Sequence, residues 1–106
     1  MKKQGFILIV VIFLLTGTGC YKNQAVPVAD FSYTDDSDSL HPHKVTFRNL
    51  SQNASSYEWT FGDTQSSTET SPVHLYPDSG TYEVVLKAYS DAKTEWALKT
   101  QDIHVK

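Results

Sequence analysis

From Ala29 onward the chain alternates apolar and polar residues with a period of two, in short runs separated by clusters of Asp, Ser, Asn, Gly and Pro. This is strand spacing, because successive side chains of a β-strand point to opposite faces. Ala29, Phe31 and Tyr33 share one face of a first predicted strand, which Asp35-Asp36-Ser37-Asp38-Ser39 interrupts as a loop. Val45 and Phe47 share a face of a second, and Tyr57, Trp59 and Phe61 a face of a third that ends at Gly62-Asp63. The polar stretch Ser66 to Ser71 has room only for a short edge strand or a loop. His74 and Tyr76 follow Pro72, and Asp78-Ser79-Gly80 turns the chain. Tyr82, Val84, Leu86 and Ala88 form the longest clean alternation, and Ser90-Asp91-Ala92-Lys93 returns it to a last strand ending in Ile103 and Val105.

Six or seven short strands at this spacing, without any stretch of helical periodicity, predict an all-β antiparallel sandwich of two sheets. The inward set must fill one small core. No inter-sheet disulfide is available, since the chain has one cysteine, so Trp59 and its aromatic neighbours are expected at the centre of that core. Trp96 and Leu98 are out of phase with Ile103 and Val105. Either a bulge near Lys93 to Glu95 returns them to the core, or they lie on the outer face beside Val85.

One segment stands apart from this pattern. Phe6 to Leu15 is an unbroken apolar run of ten, preceded by Lys2 and Lys3 and followed by Gly17-Thr18-Gly19-Cys20. That is the order of charged, apolar and cleavage regions in a secretory signal. A membrane-crossing helix needs roughly 20 apolar residues, so the run is too short to span. Thr18-Gly19-Cys20 resembles the lipobox of bacterial lipoproteins, with Gly17 in the place usually held by Leu. The resemblance implies cleavage before Cys20, acylation of its sulfur and usually of its amine, and attachment to a bacterial membrane, here expected to be the outer one. Two or more acyl chains anchor firmly where one is marginal. The expected organisation is a signal peptide over 1–19, the lipidated Cys20 with a short tether over 20–26, and the sandwich over 27–106. Lys22 is the only charge close behind Cys20, whereas lipoproteins exported to the cell surface resemble one another in an acidic stretch there. That favours the periplasmic face without fixing it.

Composition narrows the function. The chain of 106 residues has nine Lys plus Arg against twelve Asp plus Glu, a net charge of −3. Loss of Lys2 and Lys3 with the signal leaves seven basic against twelve acidic residues, a net charge of −5 over 87 residues. An acidic domain without a basic cluster argues against nucleic acid, which is held mainly through phosphate contacts.

Several motifs together carry a family resemblance. Ala29-Asp30-Phe31, Val45-Thr46-Phe47-Arg48-Asn49-Leu50-Ser51, Tyr57-Glu58-Trp59-Thr60-Phe61-Gly62-Asp63, Pro72-Val73-His74-Leu75-Tyr76, Gly80-Thr81-Tyr82-Glu83-Val84-Val85-Leu86 and Ile103-His104-Val105 occur in that order. The set resembles a PKD (polycystic kidney disease) domain over nearly the whole chain past the leader. The resemblance implies an immunoglobulin-like β-sandwich with a three-stranded and a four-stranded sheet, and an extracellular interaction or spacer role. Thr64 departs from it, since the family usually has Gly there.

Candidate chemistry is sparse. Asp63 follows Gly62 at a strand end, where Asp commonly hydrogen-bonds its own backbone in a turn. His74 has no nucleophile in a recognisable triad, and the resemblance implies a packing or hydrogen-bonding role for it. The chain is not expected to be an enzyme. Asp35, Asp36 and Asp38 supply oxygen ligands for a weak Ca²⁺ candidate that lacks a glycine turn and further carboxylates; a solvated loop fits them better. His41 and His43 would point to one side if extended, a conceivable transition-metal pair without a third ligand. Asn49 and Asn53 begin glycosylation-type triplets but fit turns in a bacterial-type lipoprotein. The expected binding residues are Trp96, Leu98, Val85 and Tyr89. The expected partner is another cell-envelope protein. The rival is a polysaccharide stacked on Tyr89, Trp96 or Tyr21, because the resembled family often accompanies polysaccharide-degrading enzymes.

Overall fold

A computed structural model describes residues 25–106, so Cys20, the leader and the first part of the tether lie outside the described residues. Seven strands form: β1 (Phe31–Asp35), β2 (Lys44–Asn49), β3 (Ser56–Thr60), β4 (Ser66–Ser67), β5 (Val73–Leu75), β6 (Gly80–Tyr89) and β7 (Trp96–Val105). They make a three-stranded sheet in the order β1-β2-β5 and a four-stranded sheet in the order β4-β3-β6-β7, with every pairing antiparallel. The fold is the two-sheet sandwich that the alternation predicts, with the immunoglobulin-like three-plus-four division that the resemblance implies.

The two inner faces meet over one core. Phe31, Val45 and Phe47 come from one sheet, and Trp59, Val84, Leu86, Ala88, Ile103 and Val105 from the other. Trp59 has no exposed surface, and its ring lies 5.1 Å from Phe31 and 5.3 Å from Phe47 between centroids. Its indole N–H donates to the Glu69 carbonyl at 2.9 Å, so the one polar atom of this side chain is satisfied. Phe61 lies just past β3 and keeps its inward phase.

Turn residues act where the sequence places them. Asn49 accepts the Ser51 N–H through its side-chain oxygen, and Asn53 adopts a left-handed φ of 59°. Gly62 has φ 86°, and a Cβ there would stand 2.6 Å from the Glu83 carbonyl oxygen, so both conformation and space exclude a side chain. The odd member is Thr64 at φ 73°. The position where the resemblance expects Gly is held in the conformation that favours Gly.

Candidate binding surface

The register of β6 and β7 decides the fate of Trp96. Ten consecutive pairs run from Gly80 opposite Val105 to Tyr89 opposite Trp96 with no bulge. The six-residue return is closed by Ser90 N–H donating to the Glu95 carbonyl and Lys93 N–H donating to the Ser90 carbonyl. Uniform register keeps the alternation unbroken, so Trp96 and Leu98 stay on the outer face, 52% and 54% exposed.

Three cross-strand rows build that face. Ser56, Tyr89 and Trp96 make the first, Glu58, Lys87 and Leu98 the second, and Thr60, Val85 and Thr100 the third. Because Ser90 and Glu95 form a hydrogen-bonded pair, the Tyr89–Trp96 and Lys87–Leu98 pairs are of the non-hydrogen-bonded kind, whose side chains approach more closely. The Lys87 ammonium lies 4.3 Å from the centre of the Trp96 ring and 5.1 Å from that of Tyr89. The Tyr89 hydroxyl donates to Glu58 Oε1 at 3.0 Å. Cation, rings and carboxylate thus hold one another in place on an open sheet.

Trp96, Leu98 and Tyr89 are therefore brought together, but Val85 takes a different place. It pairs with Thr100 on the same outer face, one row removed and diagonal to Leu98, and is partly buried. Lys87 and Glu58 were not among the expected residues; only the strand register puts them there. A second exposed apolar pair, Val73 and Leu75, lies on the outer side of β5, the positions alternate to His74 and Tyr76.

The acidic loop disperses its carboxylates. Asp35 accepts from Ser37 through one oxygen and from the Lys106 N–H at 2.7 Å through the other. Asp36 accepts from the Thr46 hydroxyl, and Asp38 from the N–H groups of Leu40 and His41. Among the described residues no group of three or more His, Cys, Asp or Glu converges as a metal would require, and each of the three carboxylates accepts hydrogen bonds of its own. Burial raises the Asp35 carboxyl, but the hydrogen bonds from Ser37 and Lys106 outweigh it and hold the group below its ordinary value. Asp38 is lowered chiefly by the His41 N–H. The two histidines also separate: His41 faces Asp38, and His43 Nδ1 lies 2.6 Å from the Lys106 carbonyl oxygen.

Asp63 does two jobs. Its Oδ1 accepts the Gln65 N–H at 3.1 Å, the expected turn, and its Oδ2 meets His74 Nε2 at 2.7 Å. The His74 ring stacks on Phe61 at 4.0 Å and meets Tyr76 edge-on. The buried Tyr76 hydroxyl donates to the Phe61 carbonyl at 2.9 Å, and burial, with Asp63 and Tyr82 nearby, raises it well above the ordinary tyrosine value. This polar group is packing, as the resemblance implies for His74.

Comparison with known proteins agrees with the geometry. The PKD domain family profile matches residues 24–105. The PKD1 domain of Vibrio anguillarum Epp aligns with a TM-score of 0.68 at 30% identity, covering 79% of this chain and 98% of that one. The PKD1 domain of the Vibrio cholerae metalloprotease PrtV aligns at 0.66 and 31%, covering 77% and 99%. A structure concerned with carbohydrate-binding modules of the β-sandwich superfamily aligns at 0.66 over 79% of this chain and 36% of that one; at 23% identity this is a likeness of fold alone. Collagenase ColQ1 of Bacillus cereus strain Q1 is 41% identical over 51 residues, a match that spans 44% of this chain and 5% of the collagenase.

Proposed function

The chain belongs to the PKD domain family, and on that premise we propose that it is a lipid-anchored interaction module whose outer sheet face contacts another protein of the bacterial cell envelope. PKD domains are typically non-catalytic accessory modules, found among other places in proteases. The signal-type leader and the unique Cys20 support attachment to the outer membrane, and the short tether then holds the sandwich close to it.

The observation that carries the reading is the Trp96–Leu98 pair. Two large apolar side chains, each about half exposed on adjacent rows, sit beside Tyr89 with charged groups at the margin. Aromatic and aliphatic groups inside a polar rim are the composition of a protein contact. A glycan-binding role would use the same rings as stacking platforms. The Lys87 ammonium over Trp96 occupies one face of that platform, which favours the protein partner.

A photo-crosslinking residue in place of Leu98, introduced in the native cell, tests the assignment. The expected result is a discrete protein adduct from position 98 and none from Thr34 on the opposite sheet. Equal adducts from both positions, or adducts to polysaccharide only, would overturn it.

A further inference from the structure

The outer face has an acidic end as well as an apolar one. Glu83 and Asp102 stand directly opposite each other on β6 and β7, both exposed. Their pair is of the close, non-hydrogen-bonded kind, so the Cβ atoms are about 4.5 to 5.5 Å apart. Like charges in direct cross-strand contact destabilise a sheet. Neither carboxylate has an ion pair or side-chain hydrogen bond among the described residues. Glu58 adds a third negative charge in the row that holds Leu98. Among the described residues of these cross-strand rows the opposing cation is Lys87, whose ammonium lies over the Trp96 and Tyr89 rings.

Charge then discriminates among occupants. A second copy of the chain would bring the same acidic face against this one, and anionic lipid or an acidic polysaccharide would be repelled likewise. A neutral glycan would leave the Glu83–Asp102 repulsion in place. A basic protein surface relieves it. We propose that the face docks a protein segment with Lys or Arg side chains over Glu83 and Asp102 and an apolar side chain against Trp96 and Leu98; this rests on the reading above that the face is the contact surface.

The register sets the spacing. From Glu83 to Lys87 along β6 is four residues, about 14 Å, so the partner's basic and apolar groups must be separated by that distance. An extended segment achieves it over about four residues, a helix over about nine. Beside Glu83 a shallow depression lined by Thr60, Gln65, Ser66 and Val85 offers room for the stem of a long basic side chain.

The test uses the full chain in detergent, isotopically labelled, titrated with a peptide alternating Lys and Leu, with its Glu–Leu counterpart and with a neutral glucan oligosaccharide. The expected result is shifts at Glu83, Asp102 and the Trp96 indole with the Lys–Leu peptide alone, weakening as salt shortens the screening length from about 10 Å at 0.1 M to about 3 Å at 1 M. Glu83→Gln with Asp102→Asn should reduce affinity about tenfold while leaving or raising the melting temperature. No response to the Lys–Leu peptide, or an equal response to the Glu–Leu peptide, overturns the proposal. In the native cell, an adduct at position 98 that survives the double substitution undiminished would overturn it while keeping the face as the contact surface; loss of any adduct at 98 in the unsubstituted chain would overturn both.

Discussion

His74 Nε2 lies 2.7 Å from Asp63 Oδ2, and this contact ties β5 of one sheet to the turn after β3 of the other. The side chains are only 13% and 5% exposed. In a sandwich with no disulfide between its sheets, this bond stands across the gap together with the Phe61–His74 stack.

The pair should therefore be coupled. Removing one partner leaves the other buried and unsatisfied, which costs about 1 to 3 kcal/mol. In a double-mutant cycle of Asp63→Ala and His74→Ala, read by chemical denaturation, the expected coupling is about 1 to 3 kcal/mol. Additive losses would mean that the bond contributes nothing beyond the Asp63 turn and the ring stack.

Trp59 is the centre of the core, and Trp59→Ala should cost about 3 to 5 kcal/mol through lost burial and the cavity left behind. Domains have about 5 to 15 kcal/mol in total, so the variant should melt far lower or be unfolded. Near-parental melting would contradict the packing described.

Thr64 predicts a gain. A β-branched residue at φ 73° is strained, by roughly 1 to 2 kcal/mol, against about 0.5 to 1 kcal/mol for the greater unfolded-state freedom of Gly. Thr64→Gly should raise stability by about 0.5 to 1 kcal/mol, read as a few degrees in melting temperature. A lower melting temperature would show that the Thr64 side chain makes an unrecognised contact.

Asp35 predicts an acid-side loss. A carboxyl held below its unfolded value stabilises the fold above that value, and the contribution disappears as pH falls through the folded-state value. Unfolding midpoints should therefore decline below about pH 4, less steeply in Asp35→Asn. Identical acid limbs in the two proteins would remove Asp35 and its hydrogen bonds to Ser37 and Lys106 from the account.

The legible part of this sequence is the part governed by alternation. Val45, Phe47, Trp59, Val84, Leu86, Ile103 and Val105 could be placed inward because a strand with one buried face admits a single phase. Trp96 could not be placed, since a bulge changes phase without changing composition; the closure of the Ser90–Glu95 return settles it. Lys87 and Glu58 escaped notice because a cross-strand cluster exists only once register is known. The spacing of Asp35, Asp36 and Asp38 gave no hint that each carboxylate would find its own donor. Thr64 was visible as a departure from the resembled family, and its backbone conformation supplies the reason that Gly is usual there.

In the proposed contact role Trp96 is exposed for binding and not for stability, and melting and partner capture measured on the same Trp96→Ala variant separate the two. The expected result is a stability change below about 1 kcal/mol, the loss of the Lys87 contact, with partner affinity reduced by about 2 kcal/mol, roughly 30-fold. Strong destabilisation, or undiminished capture at parental stability, would contradict it.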